Sequence, residues 1–219
     1  MQSYTHERRE RTEPDRINTA SYPTEACYLR ADMKRYLDKR GLDYAVARTN
    51  DWYPSNDAGD DSPRIVIPAT TQIDRHKFWQ ARAMDANPKR YQSPFGSRLD
   101  AIICVYADGA NHRDGKRVLV EGPMDALAAA GEGYDAIALM GVTPNLRILS
   151  HVAHLTLNDK VLFVADSDAV GQAANVMASL ASLGVQVRLA CASKKDLAAM
   201  DRDDRAWTLE DNFRIWAKL

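Results

Sequence analysis

The sequence VLFVADSDAVG, residues 161–171, indicates the class of fold. Its apolar run is too short for a buried helix and fits a strand that is covered on both faces. Asp166 and Asp168 follow the strand at once, and a helix is predicted from Ala169 to Leu183, where Gly184 ends it. A buried strand that leads directly into a helix is typical of a parallel sheet with helices on its faces.

The same alternation of strand and helix extends on both sides of this stretch. Strands are predicted over residues 117–120, 136–140, 161–165 and 185–191, and helices over residues 123–130, 143–154 and 169–183. We therefore expect an α/β fold with a parallel sheet flanked by helices over residues 116–200. A terminal helix is expected within residues 201–219, over Glu210–Lys218, with Phe213 and Trp216 facing inward.

A smaller α+β lobe is expected over residues 24–115, after a flexible polar arm at residues 1–23. Its helix should run from a Thr24 cap to Arg40 and end at Gly41. Residues 64–69 and 77–84 are predicted to pair as a hairpin, residues 50–63 to form a loop, and residues 101–107 to form a buried strand. The turn at residues 108–115 is the expected lobe boundary.

The two aromatic residues of the second hairpin strand are expected on opposite faces. Trp79 shares its face with Ala81 and Ala83, which predicts core packing. Phe78 shares its face with Gln80 and Arg82, so we expect Phe78 to be the more exposed of the two.

Composition excludes several classes of protein. Of the 219 residues, 45% are apolar and 27% charged, as in ordinary soluble domains. No apolar run approaches the roughly 18 residues of a membrane helix, and the charged N-terminus does not resemble a secretory leader. A cytoplasmic location without a membrane partner is expected. Three scattered cysteines exclude a zinc finger within this sequence and argue against a disulfide framework.

Three carboxylates follow strands of the predicted sheet. Glu121 follows the first strand, and Asp166 and Asp168 follow the third. Ligands of open parallel sheets bind beyond the carboxyl ends of the strands, and Mg²⁺ or Mn²⁺ would offset the repulsion between these acids. Asp125 and Asp196 are further candidate ligands. The alternative is that each acid caps or begins the helix that follows it.

A basic segment spans residues 64–98. It contains seven basic and two acidic residues, although the whole chain has a net charge of −1. Such an excess predicts a surface that contacts phosphates, while a solvated sheet edge is the alternative. Arg82, Lys89 and Arg90 are candidates for triphosphate or template contact, and Tyr91 could stack on an unpaired base.

Several motifs together resemble a known family. EGPMDAL at residues 121–127, GVT at 141–143 and DSDAVG at 166–171 resemble the Toprim domain of primases, topoisomerases and several nucleases. Lys195-Asp196 resembles the later acidic motif of primases, with Ala198 in the place of its second acid. YLDKRGL at 36–42, RIVIP at 64–68 and PKRYQSP at 88–94 resemble the catalytic core of bacterial-type primases, most closely the compact forms of phages and mobile elements.

The resemblance implies a metal-dependent primase that synthesises short RNA primers on single-stranded DNA from nucleoside triphosphates. It implies catalytic roles for Glu121, Asp166 and Asp168, and Glu121 could instead be a general base. A replicative helicase or a separate template-reading protein is a possible partner. The candidate nucleotide or template contacts are Arg64, Arg82, Lys89, Arg90, Tyr91, Arg98, Gly122, Gly171 and Lys195.

Two other functions remain open at this point. A Toprim nuclease would use the same acids with water as the attacking group. A non-catalytic accessory protein would bind nucleic acid without performing chemistry on it.

Overall fold

The computed structural model describes residues 22–60, 62–70, 75–94, 101–109, 112–141 and 143–216. Most of the expected arm, Arg98 and Val142 of the GVT motif lie outside these residues. The described chain forms two sheets with helices packed on them.

The first sheet has four antiparallel strands in the order β1-β2-β3-β4: β1 (Tyr53–Ser55), β2 (Arg64–Thr70), β3 (Arg75–Ala83) and β4 (Tyr91–Gln92). The predicted hairpin is confirmed, because β2 and β3 pair antiparallel. The loop predicted over residues 50–63 contains β1, whose Tyr53 pairs with Val66. Local composition did not show this strand, because its partner lies in another segment.

Two helices precede and support this sheet. α1 (Arg30–Lys39) follows a 3-10 turn at Cys27–Leu29, and α2 is Tyr44–Thr49. The prediction that Thr24 caps the first helix is wrong: its backbone N–H donates to the Asp57 carboxylate at 3.1 Å. The predicted end at Gly41 is confirmed by a φ of +64°, which favours glycine.

The second sheet has five strands in the order β5-β7-β6-β8-β9. They are β5 (Ile103–Val105), β6 (Lys116–Val120), β7 (Asp135–Ala138), β8 (Lys160–Ala165) and β9 (Gln186–Cys191). The four predicted strands are parallel, as expected, and β5 is an antiparallel edge. β5 belongs to this sheet, although it precedes residues 108–115 in sequence. The lobe boundary expected at residues 108–115 stays a prediction.

Four helices belong to this second half of the chain: α3 (Pro123–Gly131), α4 (Leu146–Leu155), α5 (Val170–Ser182) and α6 (Arg202–Trp216). The helix predicted from residue 143 begins later, where the Asn145 side chain accepts from the Ile148 N–H at 3.0 Å. The terminal helix begins at Arg202 rather than at Glu210. None of the described helices is long and apolar enough to cross a bilayer.

One apolar core runs through both sheets. It joins Met33 of α1 and Ile65 of β2 to Val118 of β6 and Phe213 of α6. A second cluster lies on the other face of the five-stranded sheet, against α4 and α5.

Both faces of β3 are covered. The prediction that Phe78 is a surface residue is wrong, because Phe78 is 4% exposed and packs in the core shared by both sheets. Trp79 is buried in a smaller cluster with Val66 and Ala81, which confirms its predicted packing role.

Candidate active site

The order of the strands brings Glu121 and Asp166 together. β6 and β8 are neighbouring parallel strands, so their carboxyl ends lie at the same edge of the sheet. Glu121 follows β6 and Asp166 follows β8. The backbone N–H of Asp166 donates to Glu121 Oε1 at 3.4 Å, a long hydrogen bond that places the two residues side by side.

Burial and repulsion from nearby carboxylates raise the pKa of both acids. Burial raises the pKa of Glu121 to about 7, and the negative charges of Asp166 and Asp168 contribute to the shift. Burial also raises the pKa of Asp166 to about 6, with further contributions from Asp196 and Asp168. The folded protein therefore holds negative charges close together, which destabilises the ionised state unless a cation lies nearby.

The helix-capping alternative does not account for Glu121 or Asp168. The residues that cap α3 and α5 are Gly122 and Ala169, and neither helix start has a side-chain cap. Asp168 is exposed at the turn that leads into α5. These acids are thus available to a ligand.

The chemistry of the donors suits a hard divalent cation. Within the ranges that the structure describes, no three His, Cys, Asp or Glu residues form a ready-made metal cage. Mg²⁺ at phosphate-handling sites commonly takes only one or two carboxylates and completes its shell with water and phosphate oxygens. The Glu121 and Asp166 pair, with Asp168 on the next turn, fits such an open site.

Asp125 has a structural contact that the sequence did not reveal. It is 7% exposed, and its Oδ1 accepts the backbone N–H of Ala198 at 2.8 Å. Burial raises its pKa to about 7, and Asp196 and Asp166 contribute. Asp125 therefore links α3 to the 3-10 turn Leu197–Ala199, which follows β9.

Gly122 makes room for this carboxylate. A Cβ at position 122 would lie 3.0 Å from Asp125 Oδ2, which is tighter than ordinary van der Waals contact. The predicted contact of Gly122 with a ligand stays a prediction, although Gly122 lines the cleft described below.

Asp196 is a cap that also faces the cleft. Its carboxylate accepts the Ala199 N–H at 2.8 Å and caps the 3-10 turn, so the predicted alternative that Asp196 begins a helical segment is correct. Ala198 stands at the position of the second acid in the motif that Lys195-Asp196 resembles. It is buried beside Asp125.

A cleft of about 860 Å³ separates the acids from a basic wall. We call the two sides the acidic wall and the basic wall. The acidic wall contains Glu121, Asp125, Asp166 and Asp196, with Lys195 beside them, and the basic wall contains Tyr36, Arg40, Arg82, Arg90 and Tyr91, with one acid, Asp85. Tyr36 and Arg40 were not predicted as site residues; Tyr36 lies in the last turn of α1, and Arg40 directly follows the helix.

The basic wall is held by contacts among its own side chains. Arg82 Nε donates to the Tyr36 hydroxyl at 3.1 Å, and the Arg82 guanidinium lies 4.8 Å from the centre of the Tyr91 ring. Burial raises the pKa of Tyr91 to about 12, so this hydroxyl stays protonated at neutral pH. The wall thus presents cations next to aromatic rings, a combination that suits nucleotides.

The predicted contact of Arg64 with nucleotide or template is wrong. The Arg64 side chain is fully buried and forms an ion pair with Asp60, with an N–O distance of 2.9 Å. Its Nη1 also donates to the Lys89 carbonyl oxygen at 3.0 Å. With its donors engaged inside the fold, Arg64 supports the loop before β4 instead of binding a ligand.

Three other predicted contacts lack a place in the described cleft. Lys89 is exposed, but it and Gly171 are not among the residues that line the cleft. A Cβ at Gly171 would meet open space, so no close approach requires glycine there. Arg98 lies outside the described residues. The roles of these three residues stay predictions.

The part of the chain that carries the acids is similar to a known family. Residues 118–204 match the model of the Toprim-like family. This stretch is therefore similar to the Toprim-like family. No curated protein sequence matches the chain significantly.

Most of the chain has the fold of primase catalytic cores. The DnaG primase catalytic domain bound to single-stranded DNA has 16% identity and a TM-score of 0.61, covering 84% of this chain and 71% of that chain. The Escherichia coli primase catalytic core has 17% identity and a TM-score of 0.61, covering 84% and 73%. A DNA primase domain from Pseudomonas aeruginosa has 18% identity and a TM-score of 0.55, covering 91% and 73%.

Proposed function

We propose that this protein is a DNA primase that joins ribonucleotides into short primers on a single-stranded DNA template in the cytoplasm. One observation carries the proposal. The paired acids Glu121 and Asp166 face a basic wall across a single cleft that is large enough for a nucleotide. The Toprim-like domain and the primase-core fold support this reading of the cleft.

Glu121, Asp166 and Asp168 would hold Mg²⁺ or Mn²⁺. When bound there, the cation would favour ionisation of the attacking hydroxyl and neutralise charge on the phosphates. Asp196 lies at the same edge but already caps the 3-10 turn, and Asp125 is engaged with Ala198. We therefore assign positioning roles to these two acids.

The basic wall would hold the triphosphate. Arg82 and Arg90 can each donate two hydrogen bonds to a phosphate, and Lys195 offers a point charge from the opposite side. Tyr91, in contact with Arg82, would stack on an unpaired base. These residues would orient the α-phosphate toward the primer end.

The reaction would form one bond and break one. The 3′-hydroxyl oxygen of the growing primer attacks the α-phosphorus, and the bond between that phosphorus and the bridging oxygen of pyrophosphate breaks. The hydroxyl proton passes to solvent. The protein contributes position and positive charge rather than a covalent intermediate.

The small net charge of the chain affects how strongly it would bind DNA. A net charge of −1 gives little long-range attraction for DNA, so template binding should be weak and sensitive to salt. A replicative helicase or a template-reading protein would supply the missing affinity.

Primer synthesis can be tested directly. The protein is incubated with single-stranded DNA, labelled nucleoside triphosphates and Mn²⁺, and the products are separated on a gel. We expect labelled oligomers from the wild type and from the exposed control E210Q, and none from E121Q. Shortened template would instead indicate a nuclease, and DNA binding without any product would indicate an accessory protein.

A further inference from the structure

The buried guanidinium of Arg205 joins three segments that are far apart in sequence. Arg205 lies in α6 and is 2% exposed. Its Nε donates to Glu132 Oε1 at 3.1 Å, and its Nη2 donates to the Gly41 carbonyl oxygen at 2.9 Å. Its Nη1 has no hydrogen-bond partner among the residues that the structure describes.

Stability alone does not explain this arrangement. Apolar side chains of similar volume often replace a buried ion pair without loss of stability, and a buried donor without a partner carries a desolvation penalty. What an apolar side chain cannot supply is the hydrogen bond to the Gly41 carbonyl. The function of Arg205 should therefore be sought at that contact.

The Gly41 contact holds the end of α1 that carries the basic wall. Gly41 directly follows Arg40, whose guanidinium lies 5.7 Å from the centre of the Tyr36 ring. The Tyr36 hydroxyl in turn accepts from Arg82. Arg40, Tyr36 and Arg82 all line the cleft, so the position of the Gly41 carbonyl affects the whole wall.

The Glu132 contact holds the helix that carries the acidic wall. α3 begins next to Glu121 and ends at Gly131, just before Glu132. Nine residues of helix span about 13 Å, so the contact lies well away from the acids. Arg205 thus joins the distal end of the helix behind the acidic wall to the end of the helix behind the basic wall.

We propose that Arg205 is a positioning residue that sets the separation of the two walls and thereby the affinity of the cleft for a nucleoside triphosphate. The inference rests on the proposed function, because it takes a nucleoside triphosphate as the ligand. A displacement of about 1 Å can reduce catalytic efficiency by up to 100-fold even when the change lies far from the chemistry.

The decisive variant is the double substitution R205M/E132M. R205M alone leaves Glu132 with only the exposed Arg202 at 3.7 Å as a cation and should lower stability, whereas the apolar pair should restore stability without restoring the Gly41 contact. We expect the double variant to melt near the wild-type temperature, to bind Mn²⁺ as the wild type does, and to bind a fluorescent ATP analogue roughly tenfold more weakly. The KM for nucleotide should rise in proportion.

Two further variants make the test specific. R205K keeps a charge beside Glu132 and offers one donor group, so its affinity for the analogue should lie between those of the wild type and the double variant. R202M is the matched control, because Arg202 is an exposed residue of the same helix that lies 3.7 Å from Glu132. R202M should bind the analogue as the wild type does.

The outcomes separate the two proposals. If the double variant is folded and binds the analogue with wild-type affinity, Arg205 has no positioning role. If the wild type itself does not bind the analogue in Mn²⁺, the proposed function fails, and the inference about Arg205 fails with it.

Discussion

Asp166 donates its backbone N–H to the Glu121 carboxylate at 3.4 Å, across 45 positions of sequence. This contact places two acids from neighbouring strands next to each other, and burial with repulsion from nearby carboxylates raises the pKa of both. Such a pair is unfavourable without a counter-ion. The predictions below begin with this pair.

Replacing Glu121 with glutamine should separate activity from stability. We expect E121Q to reduce primer synthesis at least roughly 100-fold, because even loss of a residue that only supports a metal ligand costs 10- to 100-fold. The same variant should melt at a higher temperature than the wild type in EDTA at pH 8, because it removes a repelled charge. E210Q serves as the exposed control, and a lower melting temperature for E121Q would contradict the prediction.

The metal-free protein should lose stability as pH rises from 5 to 8. The folded pKa values of Glu121 and Asp125 are about 7, and that of Asp166 is about 6, all above the ordinary carboxyl range. The folded state therefore binds more protons than the unfolded state in this interval, and stability falls as pH rises through the folded pKa values.

Thermal unfolding in EDTA, followed by addition of Mn²⁺, measures this effect. Asp60 has a pKa lowered to about 2 by its hydrogen bond with Arg64, so it titrates below the interval and does not interfere. Mn²⁺ should raise the melting temperature more at pH 8 than at pH 5. An E121Q profile as steep as that of the wild type would show that Glu121 is not responsible.

Asp125 and Gly122 should be energetically coupled. In the wild type, G122A places a Cβ 3.0 Å from Asp125 Oδ2 and should destabilise the fold by about 1 kcal/mol or more. In a D125A background that oxygen is gone, so the same substitution should cost much less. Urea unfolding of the four proteins gives the coupling energy, and additive effects would refute the predicted contact.

Arg64 and Arg90 should differ in what they support. R64M removes the partner of Asp60 from inside the fold, and we expect a loss of about 3 kcal/mol of unfolding free energy. R90M changes an exposed side chain of the basic wall and should leave stability within about 0.5 kcal/mol of the wild type. Urea unfolding measures both losses.

Binding to single-stranded DNA completes the comparison of the two arginines. R90M should lower the affinity and reduce the salt dependence of binding by about one counterion. If R90M leaves both unchanged, Arg90 does not contact the phosphates of the template.

The sequence was most informative where a feature depends on local pattern. Short continuous apolar runs that alternate with helices predicted the four parallel strands, and the general property of open sheets placed Glu121 and Asp166 at one edge. The sequence could not show which side chains would be buried by distant segments. Arg64 is engaged by Asp60 and by a carbonyl 25 positions away, and Phe78 is covered by the shared core. The Arg205 contact to Gly41 spans 164 positions.

The core shared by the two sheets has a practical consequence for anyone who divides this protein. A fragment that begins at Lys116 would lack β5, the edge partner of β7, and would expose the apolar residues that pack against α1 and β2. We expect such a fragment to aggregate when it is expressed alone. Co-expression of the two halves should rescue both, because each supplies the surface on which the other folds.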